Sequence, residues 1–112
     1  MLDIDLWFID FFVREFDIAT QTRLLSETGV AFGPDKTGSL VNLVRSLGGD
    51  TFLPGSAGRG FIDLGRFEAA GIRIAFQDYV CRPYRQQYEP FVSHLSAIDL
   101  LLNEGPEGAA FI

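Results

Sequence analysis

Between residues 36 and 80 the spacing of apolar side chains changes period three times, and each change falls at glycine or proline. "KTGSLVNLVRSLGG" (36–49) sets Leu40, Leu43, Val44 and Leu47 on one helical stripe and stops at a glycine pair, which predicts a helix with a glycine end. "DTFL" then reads as a short strand and "LGRFEAA" as a helix closed by Gly71. In "IRIAFQDYV" (72–80) Ile72, Ile74 and Phe76 alternate with Arg73, Ala75 and Gln77, as in a half-buried strand. Strand, helix and strand in that order, joined by connections long enough for crossovers, predict a parallel βαβ unit.

The flanks extend the pattern. Residues 3–17 carry aliphatic and aromatic side chains at mixed spacings of three and four without Gly or Pro, so a first helix is expected there, with Asp3 able to cap it. "IATQTRLLS" (18–26) alternates in part and reads as a strand, followed by loop chemistry in "ETGVAFGPD". "CRPYRQQYEPF" is irregular, and "SAIDLLLNEG" is a last helix ended by Gly105 and Pro106. The expected fold is therefore α/β: a small, three-stranded, mainly parallel sheet with flanking helices, in the order helix-strand-helix-strand-helix-strand-helix. Residues 1–112 are expected to form one domain, and three strands suit half of a larger α/β fold.

Composition removes several classes of function. One cysteine, Cys81, and one histidine, His94, rule out an internal disulfide and a cysteine-based zinc site, so neither a metal nor another cofactor is expected. A formal charge of −6 with no basic run opposes binding to nucleic acid. The apolar opening "MLDIDLWFIDFFVREFDI" lacks a basic lead, and Asp10, Arg14 and Glu15 interrupt it, so neither a signal peptide nor a membrane span is expected and a soluble, cytoplasmic chain is.

The loop "TFLPGSAGRGFID" (51–63) carries the most chemistry. It lies at the carboxyl end of an expected parallel strand and ahead of a helix, where open α/β sheets place ligands. Gly55, Gly58 and Gly60 with Ser56 would let backbone N–H groups converge on an anion, and Arg59 would add a guanidinium fork. The order G-x-x-G-x-G is neither the dinucleotide fingerprint nor a P-loop, and a plain strand-to-helix corner with Asp63 as its cap explains it equally. Lys36 and Thr37 at a helix start are phosphate candidates or capping neighbours, with Asp35 or Thr37 as the cap. Arg82, with Tyr84, Arg85 and Gln86, concentrates donors in an irregular stretch. Ser96, Asp99 and Asn103 form a polar stripe at i, i+3 and i+7; S-x-x-D is also a capping-box pattern, which leaves Asn103 as the freer candidate.

"DKTGSLVNLVRSLGGDTFLPGSAGRGFID", "FEAAGIRIAFQDY" and "LSAIDLLLNEGP" together make the chain similar to the WbqC-like family, met in bacterial O-antigen and related polysaccharide gene clusters. The resemblance covers nearly all of the chain but only the C-terminal half of the family. Gly55, Gly58, Arg59 and Asp63 match in the loop, and Ser96, Asp99, Asn103, Gly105 and Pro106 match in the closing segment. Pro54 stands where the family has Ser, Gly60 where it has a polar residue, Phe61 where it has Tyr, and Cys81-Arg82 near its His-Pro pair. The family's His-Gln-Pro loop has no counterpart in this sequence. The resemblance implies an amino-acyl or acyl transferase acting on a nucleotide-linked amino sugar, and hence an anionic sugar nucleotide as ligand; it identifies no catalytic residue. Its partial cover implies that this chain alone is inactive, and the alternative is a non-catalytic α/β binding module. The first helix, apolar over most of its circumference, is expected to be covered by self-association or by a partner chain.

Overall fold

The structure, a computed structural model, describes residues 2–112. It contains four α-helices, α1 (Leu2–Glu15), α2 (Lys36–Ser46), α3 (Leu64–Ala69) and α4 (Ala97–Glu104), and two short strands, β1 (Thr51–Phe52) and β2 (Arg73–Ile74). Single 3₁₀ segments occupy Leu25–Glu27, Ser56–Gly60 and Gly105–Phe111. The chain divides into two compact units: Thr22–Asp78 forms one, and the segments ending at Gln21 and running from Tyr79 to Ile112 form the other.

The central unit holds the expected parallel pair. Thr51 lies opposite Arg73 and Phe52 opposite Ile74. The ladder continues on one side only, with Ala75 N–H donating to Phe52 O (3.0 Å) and Gln77 N–H to Pro54 O (2.9 Å). Pro54 has no N–H to return, so regular pairing stops and a lone bridge between Gly55 and Gln77 remains. The expected third strand at 18–26 is not formed. That stretch is irregular chain leading into the 3₁₀ turn Leu25–Glu27, behind which Thr28 Oγ1 donates to Leu25 O (2.7 Å). The fold is thus mixed α/β but mostly helical, with a two-stranded sheet.

Three helices end in the same way. After α2, Gly48 N–H donates to Arg45 O and Gly49 N–H to Val44 O; after α3, Gly71 and Ile72 repeat the pattern onto Glu68 O and Phe67 O. Gly48 (φ 69°) and Gly71 (φ 71°) take the left-handed conformation that this Schellman closure needs. After α1 the same two bonds run from Asp17 to Arg14 O and from Ile18 to Val13 O, with Asp17 (φ 51°) in the glycine position. An aspartate tolerates that region better than most residues, so α1 stops at Glu15 rather than running to residue 17. Asp3 lies inside the first turn of α1 rather than ahead of it.

The core of the central unit is Val41 and Val44 from α2, Ile62, Phe67 from α3 and Ile72, with Phe67 fully buried. Phe52 stacks on Phe67 at 5.2 Å and 7°, joining strand to helix. Each large apolar side chain so buried contributes about 1.5–3 kcal/mol. Among the described residues of the other unit only Phe16 and Leu100 are buried large apolar residues, and they meet at Gly108. A Cβ on Gly108 would lie 2.9 Å from Phe16 Cε1 and 3.1 Å from Leu100 Cγ, so a side chain is excluded there.

Candidate functional site

The loop between β1 and α3 folds as the 3₁₀ turn Ser56–Gly60, opened by Gly55 and Ser56. Gly58 N–H donates to Gly55 O (2.9 Å), so one of the backbone donors expected for an anion is used inside the turn. Gly58 is buried, and a Cβ there would come within 2.8 Å of Ile62 Cδ1 and 3.2 Å of Pro54 Cβ. Close packing of the corner therefore requires this glycine, whereas Gly55 and Gly60 have open space around them. Arg59 turns back on the chain: its Nη2 donates to both oxygens of Asp78 at 2.8 and 2.9 Å, and its guanidinium lies 4.2 Å from the centre of the Phe76 ring. Both charged groups are more than half exposed, so the pair positions the loop more than it stabilises the unit.

The start of α2 lies against the far end of this loop. Asp35 is the N-cap, accepting from Gly38 N–H at 3.0 Å. Thr37 is buried and its Oγ1 accepts from Asp63 N–H at 3.3 Å, while Lys36 Nζ sits 5.7 Å above the Phe61 ring. Asp63 holds the N-cap position of α3 without a side-chain cap bond. The structure thus gathers Gly55, Ser56, Gly58, Arg59, Lys36 and Thr37 in one unit. Arg82 and Asn103 belong to the other.

A groove that the sequence reading did not single out runs along α2. It measures about 590 Å³, and Ala31, Val41, Ala69 and Ala70 supply the apolar part of its lining. The polar part of the lining is Asp35, Ser39, Asn42, Arg45 and Arg66. Arg66 grips Asp35 with a two-pronged fork, Nη1 to Oδ1 at 2.6 Å and Nη2 to Oδ2 at 2.8 Å. That fork, together with the Gly38 N–H, lowers the Asp35 carboxyl to about 2 and raises Arg66. Ser39 Oγ donates to Asp35 O and accepts from Gly33 N–H, tying the preceding loop to the helix. Arg45 donates weakly to Ala70 O at 3.3 Å and, among the described residues, has no carboxylate partner. Ser39, Asn42 and Arg45 recur every third residue, a polar stripe beside the apolar one that the sequence could have offered.

In the other unit the expected candidates serve mainly to tie the chain. Arg82 donates to Ala110 O and lies 5.9 Å from the Phe111 ring, and Tyr79 OH donates to Phe111 O at 3.2 Å. Asn103 Nδ2 donates to Asp99 O one turn back at 2.8 Å. Ser96 caps α4, accepting from Ile98 N–H at 3.4 Å, but Asp99 does not complete a capping box. Its carboxylate instead accepts from Tyr84 OH at 2.6 Å and Gln86 Nε2 at 3.3 Å. Tyr79, Cys81, Tyr84, His94 and Ser96 share a cleft of about 320 Å³. Desolvation and the Cys81 thiol push Tyr79 up, and desolvation and the Asp99 bond push Tyr84 up, so both phenols stay protonated donors at neutral pH.

No helix among the described residues is long and apolar enough to cross a membrane. No solved structure matches this chain. An uncharacterized protein of Mycobacterium tuberculosis is 28% identical over 96 residues, which cover 85% of this chain and 42% of that protein. The chain therefore spans less than half the length of the curated relative it matches. Residues 1–111 match the description of the WbqC-like protein family, and the chain belongs to that family.

Proposed function

We propose that this chain supplies an anionic-ligand surface to a WbqC-like protein of bacterial surface-polysaccharide biosynthesis, one that transfers an acyl or amino-acyl group to a nucleotide-linked amino sugar. The observation that carries the reading is the groove along α2, whose lining brings Arg45 and Arg66 together with Ser39, Asn42 and the apolar Ala31, Val41, Ala69 and Ala70. A sugar nucleotide offers a matching pair of features: phosphates for guanidinium groups and flat or apolar ring faces for the apolar part of the lining. Arg45 is the better anchor, because Arg66 already holds Asp35 and an incoming phosphate would compete with that carboxylate. The loop from Gly55 to Arg59, with Lys36 and Thr37, forms a second candidate edge in the same unit. Reaction chemistry is left to groups outside this surface, in keeping with the chain's cover of 42% of its longer relative.

Calorimetry or ligand-observed NMR with uridine- and thymidine-diphosphate amino sugars tests the proposal. Binding is expected from the 112-residue chain, with a roughly tenfold or greater loss in Arg45→Glu and little change in Arg23→Glu. Equal loss in both variants would reduce the effect to net charge. No binding by the parent chain to either nucleotide class sinks the reading.

A further inference from the structure

Helix α1 buries none of its residues, although it carries Leu2, Ile4, Leu6, Trp7, Phe8, Ile9, Phe11, Phe12 and Val13. Ile4, Trp7, Phe8 and Phe11 fall at i, i+3, i+4 and i+7 and so line one stripe. The first three are 60%, 56% and 47% exposed. Trp7 stacks on Phe11 at 5.5 Å and 10° and meets Phe8 edge-on at 5.1 Å, which makes the stripe a continuous aromatic surface. Its spacing is that of a helix-pairing seam, and exposure of so large an apolar face is unusual for a monomer.

The charges beside the stripe say what covers it. Asp3, Asp10 and Arg14 follow one edge of α1, acidic at its start and basic at its end. When two copies of a helix pair antiparallel, the same edge of each meets the other, running in opposite directions. Asp3 then faces Arg14 of the partner subunit and Arg14 faces the partner's Asp3, giving two reciprocal ion pairs at the ends of one edge, with Asp10 and the partner's Asp10 between them near the twofold axis. Glu15, at the C-terminal end of the stripe, lies beside the partner's first turn, the positive end of its helix dipole. Parallel pairing offers none of this, since it sets Asp3 beside its own copy's level and aligns the dipoles unfavourably. Two copies close the arrangement by twofold symmetry.

We propose that α1 is a self-association seam on which a second copy of this chain docks antiparallel, through the Ile4, Trp7, Phe8 and Phe11 stripes and reciprocal Asp3–Arg14 pairs. This inference does not rest on the ligand proposal. Sedimentation velocity on the full chain over a roughly hundredfold concentration range, from about 1 to about 100 μM, should show a monomer–dimer equilibrium. Arg14→Glu sets like charges together at both ends and should weaken dimerisation roughly tenfold or more, and adding Asp3→Arg to it should restore the parent's behaviour. Both positions are exposed, and unchanged far-UV circular dichroism confirms that the variants stay folded. Trp7 should become shielded from iodide as the dimer forms. A monomer at every concentration overturns the proposal and assigns the stripe to another occupant; dimerisation that ignores Arg14→Glu, or fails to recover in the double variant, overturns the antiparallel arrangement.

Discussion

The two units are held by different means. Thr22–Asp78 rests on a packed core in which Phe67 is sealed between Val41, Val44, Ile62 and Ile72, and its polar bonds mostly close helix ends. The unit of α1 and Tyr79–Ile112 buries two large apolar side chains among its described residues and relies on threads that tie an irregular segment to α4 and to itself: Tyr84 to Asp99, Arg85 N–H to Glu104, Gln86 to Val92. Burial is non-directional and adds with area, whereas each net hydrogen bond contributes only about 1 kcal/mol and opens readily to water. The irregular unit should therefore open locally at lower cost than its neighbour.

Phe67→Ala tests the stronger side of the contrast. Removing a fully buried phenyl group should cost about 3–5 kcal/mol, seen as a drop in the denaturation midpoint with loss of amide protection across α2, α3 and the strands. A loss under about 1 kcal/mol would mean that the ring is not the keystone of that core.

Tyr84→Phe probes the weaker side. It keeps the edge-on contacts with Phe91 and Phe111 and removes only the bond to Asp99, so a cost of about 1 kcal/mol is expected. Hydrogen exchange should quicken in residues 84–104 and stay unchanged in the Phe67 core. Equal quickening in both would erase the distinction between the units.

The smallest effect belongs to Asp35. Its folded value is depressed to about 2, so the stabilisation it brings is present above the ordinary carboxylate range and is lost as pH falls through that range toward about 2. The pair is exposed, which keeps the effect modest. Thermal midpoints followed from about pH 5 to about pH 2 should fall more steeply in the parent than in Asp35→Asn, which has no proton to take up. Parallel curves would show that the Arg66 fork contributes nothing to the central unit.

Local chemistry was legible in the sequence and long-range pairing was not. The four helices, the glycine stops at Gly48, Gly71 and Gly105, and the Asp35 and Ser96 caps follow from residues within a turn of each other. The strand expected at 18–26 had the right composition but needed a neighbour to accept its bonds, and that neighbour is set by the whole fold. Pro54 did carry the reason for the short ladder, a missing donor that periodicity overlooks. The same division runs through the site. Arg59 looked like a free fork until Asp78, far along the chain, proved to hold it, and the Arg66–Asp35 clasp joins α3 to the cap of α2. No spacing rule reaches that far.

The order of the units along the chain has a consequence for how the polypeptide acquires its structure. Thr22–Asp78 is continuous, while the contact of Phe16 and Leu100 with Gly108 brings together the two ends of the chain around it. Closing so long a loop costs entropy before any contact repays it, and contacts of high sequence separation form slowly. Once the central unit has condensed, the span between its ends is fixed and that entropy is already spent, so the segments on either side meet at a much higher effective concentration. The well-packed middle thus shortens the loop that the loosely tied remainder must close.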